Sequence, residues 1–77
     1  MTTIIRSSSA VRSIVIDILK GECFVHYKNG SVYDYSNVSR RAMLNLLLNK
    51  NISLGFWINE NLLSYDSGAI ATPWLTA

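Results

Sequence analysis

The dipeptide Asn29-Gly30 stands between two runs of strand-forming residues, and no other feature limits the fold of this chain so tightly. Asn followed by Gly is the strongest short signal for a β-hairpin, because the turn needs backbone in the left-handed region that Gly enters without a Cβ clash. Glu22-Cys-Phe-Val-His-Tyr-Lys28 leads into it and Ser31-Val-Tyr-Asp-Tyr35 leads away, both rich in β-branched and aromatic residues. Upstream, residues 11–19 read Val-Arg-Ser-Ile-Val-Ile-Asp-Ile-Leu, and Lys20-Gly21 supplies a turn before the hairpin. The pattern predicts three consecutive antiparallel strands.

Two closures of the turn are open, and they put different side chains together, since a one-residue slip moves every side chain to the opposite face. A two-residue type I′ turn sets Val32 opposite Tyr27. A type I turn with a bulge at Gly30 pairs Tyr27 with Ser31 and sets Val25 opposite Tyr33. We favour the bulged form, because it collects Cys23, Val25, Tyr27, Tyr33 and Tyr35 on one apolar face and leaves Glu22, His26, Lys28 and Asp34 on a mostly polar one.

Beyond Tyr35 the period changes. Val38, Ala42, Met43, Leu46 and Leu47 recur at spacings of three and four, while Arg40, Arg41, Asn45 and Asn49 point the other way, which predicts an amphipathic helix over 39–49 with Ser39 as its cap. Ser53 can cap a second helix through residues 59–60, with Ile52 placed to pack on Trp57. Gly55 inside that helix costs about 1 kcal/mol relative to Ala, so a close approach to its backbone is expected. The fold class is α+β: a three-stranded antiparallel β-meander with two C-terminal helices packed on one face. Residues 1–9, ending in Ser7-Ser8-Ser9, read as an N-terminal arm, 10–65 as the domain, and 66–77, with the only proline, as a C-terminal tail.

At 77 residues there is room for one domain, and a chain this short buries only about 60% of its unfolded surface, which argues against a large catalytic cleft. With 49% hydrophobic and 16% charged residues it is too apolar for disorder. A net charge of +2 nominates no polyanionic partner. The single Cys23 cannot form an internal disulfide, and no apolar run reaches the length of a signal peptide or a membrane span. The expectation is a soluble protein without a membrane partner in a reducing cytoplasm, bacterial or, for a phage-encoded chain, that of the host.

The order of these features resembles the KTSC domain, a short module found at the C-terminus of some lysyl-tRNA synthetases and alone in small bacterial and phage proteins. The likeness spans roughly residues 8–65. It is carried by Tyr33-Asp34-Tyr35 for the central Tyr-x-Tyr, by Val25, Tyr27 and Gly30 before it, by Ser9-Ala10-Val11 at the start, and by Ser53, Gly55, Trp57 and Asn59, with Leu62 following. Ser39 stands where the family often has proline, and Ile16 where an aromatic is common; Ser can start a helix by capping, and Ile suits a strand. The resemblance implies a binding module, with RNA as the ligand its synthetase context suggests.

For chemistry, the acidic residues Asp17, Glu22, Asp34, Glu60 and Asp66 include no pair three or four apart on a helix. Cys23 and His26 sit three apart on one strand and so point to opposite faces, which disqualifies them as a nucleophile pair and as metal ligands. The four glycines are isolated, so no phosphate loop exists. Neither a metal nor a cofactor is expected, and no catalytic residue is assigned.

Binding candidates remain. Tyr27, Tyr33 and Tyr35 could stack bases on an open sheet, although the helices need an apolar face to cover and core packing is the favoured reading. Arg40 and Arg41, unfavourable cations in a first helical turn, are either a solvated face or, with Arg12 and Lys28, an anion or nucleic-acid patch. Trp74-Leu75 in the tail either docks back on the domain or serves as a protein contact. With only seven basic residues, a protein partner ranks ahead of nucleic acid, a phage protein acting on a host protein being one such case. An uncovered edge strand could also pair two copies across a twofold axis.

Overall fold

The computed structural model describes residues 1–6 and 8–75, with the Leu75 side chain outside the described part. Among these residues five strands, rather than the expected three, form one antiparallel sheet in sequence order: β1 (Thr2–Ile4), β2 (Val11–Asp17), β3 (Glu22–Tyr27), β4 (Val32–Ser36) and β5 (Ile70–Leu75). Two helices, α1 (Arg40–Leu48) and α2 (Leu54–Ile58), come between β4 and β5. A π-helical turn over Asn59–Leu63 and a 3-10 turn over Tyr65–Ser67 extend α2 beyond its expected end.

The hairpin closes in the bulged form. Gly30 has φ 95, its N–H donates to the Tyr27 carbonyl at 3.0 Å, and the Tyr27 N–H donates to Ser31 at 2.9 Å. Val25 therefore faces Tyr33 and Cys23 faces Tyr35, as the bulge requires. The preceding strand stops at Asp17 rather than residue 19, because Gly21, with φ 65, turns the chain and the Asp17 carboxylate accepts from the Lys20 N–H at 3.2 Å.

The two segments read as arm and tail hold the added strands. β1 is only three residues long, too short to show a period of two, yet Ile4 reaches the core opposite Ile14. Arg6 then fastens the chain to the helical layer, donating to the carbonyls of Leu46 at 2.7 Å and Ile52 at 2.8 Å. β5 contains Pro73, which argues against a central strand but is tolerated at an edge, and β5 has β4 as its single neighbour. Asn37, itself at φ 57, holds the approach to β5 by donating its side-chain amide to Gly68 O at 3.0 Å.

One sheet face carries the core. Ile14, Ile16, Cys23, Val25 and Tyr35 meet Met43 and Leu46 from α1, Leu54, Trp57 and Ile58 from α2, and Leu62 beyond it. Ser39 caps α1 by accepting from the Ala42 N–H, and Ser53 caps α2 by accepting from the Phe56 N–H, each at 3.2 Å. Trp57 Nε1 donates to Ala42 O at 2.9 Å, tying the helices together. Ile52 is partly buried against the same cluster, while Leu47 is only partly covered. The close approach expected at Gly55 is not there: a Cβ would meet Ser53 Oγ at 3.8 Å and Ser8 Oγ at 3.9 Å, which is ordinary contact.

Candidate interaction surface

The tyrosines lie on the helix-covered face. Tyr35 is buried, Tyr27 and Tyr33 are partly so, and the Tyr27 and Tyr35 hydroxyls are hydrogen-bonded at 2.9 Å. Tyr33 packs edge-on against Tyr27 with centroids 5.9 Å apart and stacks on Tyr35 at 6.2 Å. Burial, followed by that hydrogen bond, pushes the Tyr35 hydroxyl well above the ordinary tyrosine range. These rings pack with the core and with one another, so base stacking on them loses its platform.

Cys23, on the same face, has no exposed surface, and burial followed by the nearby Asp34 and Glu22 charges pushes its thiol up to about 12. Such a thiol carries almost no nucleophilic thiolate at neutral pH.

The register sends the alternate residues to the opposite face, which neither α1 nor α2 covers among the described residues. One row across it runs Val15, Phe24, Asp34, Thr72, and a second runs Ser13, His26, Val32. A register shift between Val32 and Tyr33 leaves Trp74 as an extra residue in β5. Its ring lands edge-on against Phe24, with centroids 5.7 Å apart at 64°. Trp74 is nonetheless 68% exposed. A second shift, between Val11 and Ser13, inserts Arg12 in β2. Arg12, His26, Gly30, Val32 and Trp74 line a shallow pocket of about 180 Å³ at this end of the sheet.

The far end of the face is acidic. Asp17 lies directly opposite Glu22, and Glu22 sits one step diagonally from Asp34. Asp34 Oδ1 is buried without a hydrogen-bond partner. Glu22 is pushed above the ordinary carboxylate range, chiefly by the neighbouring Asp34 carboxylate, then by desolvation, with Lys20 opposing.

The basic candidates do not gather into one patch. Arg12 and Lys28 lie at the hairpin end, where the Lys28 N–H donates to Ala10 O at 2.9 Å. Arg40 donates to the Leu19 carbonyl at 2.8 Å, and Arg41 is exposed one residue further along α1. Arg12 and Asp17 stand toward opposite ends of β2, roughly 16 Å of extended strand apart, and Leu19 lies in the turn beyond Asp17. Of the other pattern residues, Ser53 and Trp57 make the cap and the interhelical bond described above, and Asn59 follows α2 with its N–H on Gly55 O and Phe56 O. The Leu75 side chain, paired with Trp74 as a contact candidate, lies outside the described residues.

Sequence reasoning missed Phe24 and Val32 as members of the open face, and the grouping of Asp17, Glu22 and Asp34. Strand parity carried the signal: 22, 24 and 26 alternate to one side of β3, and the bulged register brings 34 beside 24. No family model and no curated protein matches the chain, so the KTSC likeness rests on the residues quoted for it. Among the described residues no helix is long and apolar enough to cross a membrane.

Proposed function

We propose that this chain is a small non-enzymatic binding module of KTSC-like type, that its partner is a protein, and that the contact is made by the open sheet face around Phe24 and Trp74. A phage protein acting on a host protein is one setting this reading fits. The observation that carries it is Trp74: a large aromatic held in place by the edge contact with Phe24 and still 68% exposed. Exposed, preorganised Trp and Arg side chains are the residues that contribute most at protein interfaces, and Arg12 lines the adjoining pocket. The inert, buried Cys23 and the placement of His26 on the opposite side of β3 support binding rather than covalent chemistry.

Nucleic acid is the alternative, using Arg12, Lys28, Arg40 and Arg41. Two observations count against it: the basic residues divide between two ends of the sheet, and Asp17, Glu22 and Asp34 put negative charge on the face that would meet phosphates.

Trp74→Ala tests the reading. The variant gives up the aromatic edge contact, about 1 kcal/mol, and stays folded. Capture of the partner from native host extract should fall at least about tenfold, with little change between low and moderate salt. Capture that survives Trp74→Ala would refute the Trp74 face as the contact, and capture that collapses steeply with salt and yields RNA would replace the protein reading with the nucleic-acid one.

A further inference from the structure

The pocket at the hairpin end of the open face is lined by two polar side chains that the fold itself does not use. Arg6 donates to the carbonyls of Leu46 and Ile52, and Arg40 to that of Leu19, so both of those arginines hold the structure together. Among the described residues the side chains of Arg12 and His26 make no such bond, and both line the pocket of about 180 Å³ beside Trp74. Arg12 reaches it because the register shift in β2 inserts it as an extra residue. Val32 also lines it: this residue is only 4% exposed yet stands outside the core cluster under the helices, so its cover comes from its neighbours on the open face.

The donors decide the sign of a ligand, and the volume decides its size. A guanidinium presents a rigid fork of N–H donors that matches a carboxylate with two parallel bonds, and an imidazole adds a further N–H. The turn contributes none, because the Gly30 N–H donates to Tyr27 O at 3.0 Å and the Ser31 N–H to Asn29 Oδ1 at 2.9 Å. Phosphates and chain-terminal carboxylates are ordinarily cradled by such backbone groups, so a side-chain carboxylate fits this donor set better. A volume of about 180 Å³ falls below the roughly 300–1,000 Å³ of small-molecule sites and suits one side chain. Asp34 lies in the next row, between Phe24 and Thr72 and about 7 Å along the strands from His26 and Val32, with Asp17 and Glu22 a row further on. A run of acidic residues laid along the face would meet these carboxylates, whereas one acid at the hairpin end meets Arg12 and His26.

We propose that this pocket receives a single Asp or Glu side chain of the protein partner, its carboxylate on Arg12 and His26, while an adjoining apolar residue of the partner lies against the Trp74 ring. The inference rests on the reading of the open face as a protein contact and names what that partner must present. Trp74, 68% exposed, supplies apolar area, and Arg12 supplies the preference for negative charge.

NMR titration of the isotope-labelled full chain with blocked tripeptides is the experiment: acetyl-Leu-Glu-Leu-amide against its Gln and phosphoserine counterparts, with thermal melts confirming that each variant is folded. The Glu peptide should bind in the millimolar range and shift the Trp74 indole and Arg12 signals, and the Gln peptide should bind about tenfold more weakly. Arg12→Gln should abolish the preference for Glu over Gln, whereas Trp74→Ala should weaken both peptides alike and leave the preference in place. Equal affinity for the Glu and Gln peptides, binding of neither, tighter binding of the phosphoserine peptide, or a preference that survives Arg12→Gln would each overturn the proposal. If capture from host extract is nonetheless lost in Trp74→Ala, the binding-module reading survives that failure.

Discussion

Two glycines of this chain should respond to the same substitution with opposite sign. Gly21 sits at φ 65, and a Cβ built on it would come 3.2 Å from the Val38 carbonyl oxygen. The obstacle is backbone, and it is fixed, because the Val38 N–H donates to Gly21 O at 2.9 Å. Left-handed backbone costs a non-glycine residue about 1–2 kcal/mol, and the contact adds to this, so Gly21→Ala should lose about 2 kcal/mol. Gly55 is in α2 with ordinary contacts only, so Gly55→Ala should gain about 0.5–1 kcal/mol from reduced backbone entropy in the unfolded chain. At about 4–8 °C per kcal/mol for a domain of this size, Tm should fall by roughly 10 °C for the first and rise by about 2–8 °C for the second. Calorimetric melts, checked by urea titration for an unchanged m-value, measure both. Destabilisation by Gly55→Ala would refute the packing described for α2. A stabilised Gly55→Ala that loses its partner would instead assign this exposed helix backbone to binding.

Arg40 and Arg41 should separate. Arg40→Ala loses the bond to Leu19 O and should cost about 0.5–1.5 kcal/mol, whereas Arg41→Ala should be neutral or gain a few tenths by removing a cation from the helix start, as read by paired thermal melts. Stability should also fall in alkali. The Cys23 thiol ionises from 9.0 in the unfolded chain but only near 12 in the fold, so its contribution is complete below about pH 9 and is lost as pH rises toward 12. Tyr35, raised above its ordinary 10.0, steepens the loss at higher pH. Urea titrations across this range should show a shallower slope for Cys23→Ala from pH 9, and for Tyr35→Phe only above pH 10; equal slopes in all three chains would contradict the buried placements.

The elements legible in the sequence are those decided locally. The Asn29-Gly30 turn gives its register because one position requires φ above zero and Gly30 supplies it, and the pairing of Cys23 with Tyr35 follows. α1 is legible for a similar reason, since Ser39 marks its start and Met43 and Leu46 mark its buried stripe. β1 and β5 are not. A three-residue strand has no period to read, and Pro73 removes an N–H that a central strand would need. What makes Thr2–Ile4 and Ile70–Leu75 strands is an available sheet edge, and that edge exists only once β2 and β4 are in place.

The same dependence explains why the site was half visible. Read locally, Trp74 had two exclusive fates, docking on its own domain or inserting into a partner. In the fold the two are compatible. Pairing with β4 supplies the anchor, the extra residue in β5 turns the ring onto Phe24, and an edge-on contact leaves most of the indole in solvent. Truncating the chain after Asp66 therefore cannot separate structure from binding, because it removes a strand together with the side chain. Only substitution of Trp74 itself, leaving the β5 backbone ladder intact, isolates the contact. Phe24 supplies the complementary test: it lies in a central strand beneath that ring, so Phe24→Ala should weaken folding as well as binding, while Trp74→Ala should act mainly on binding.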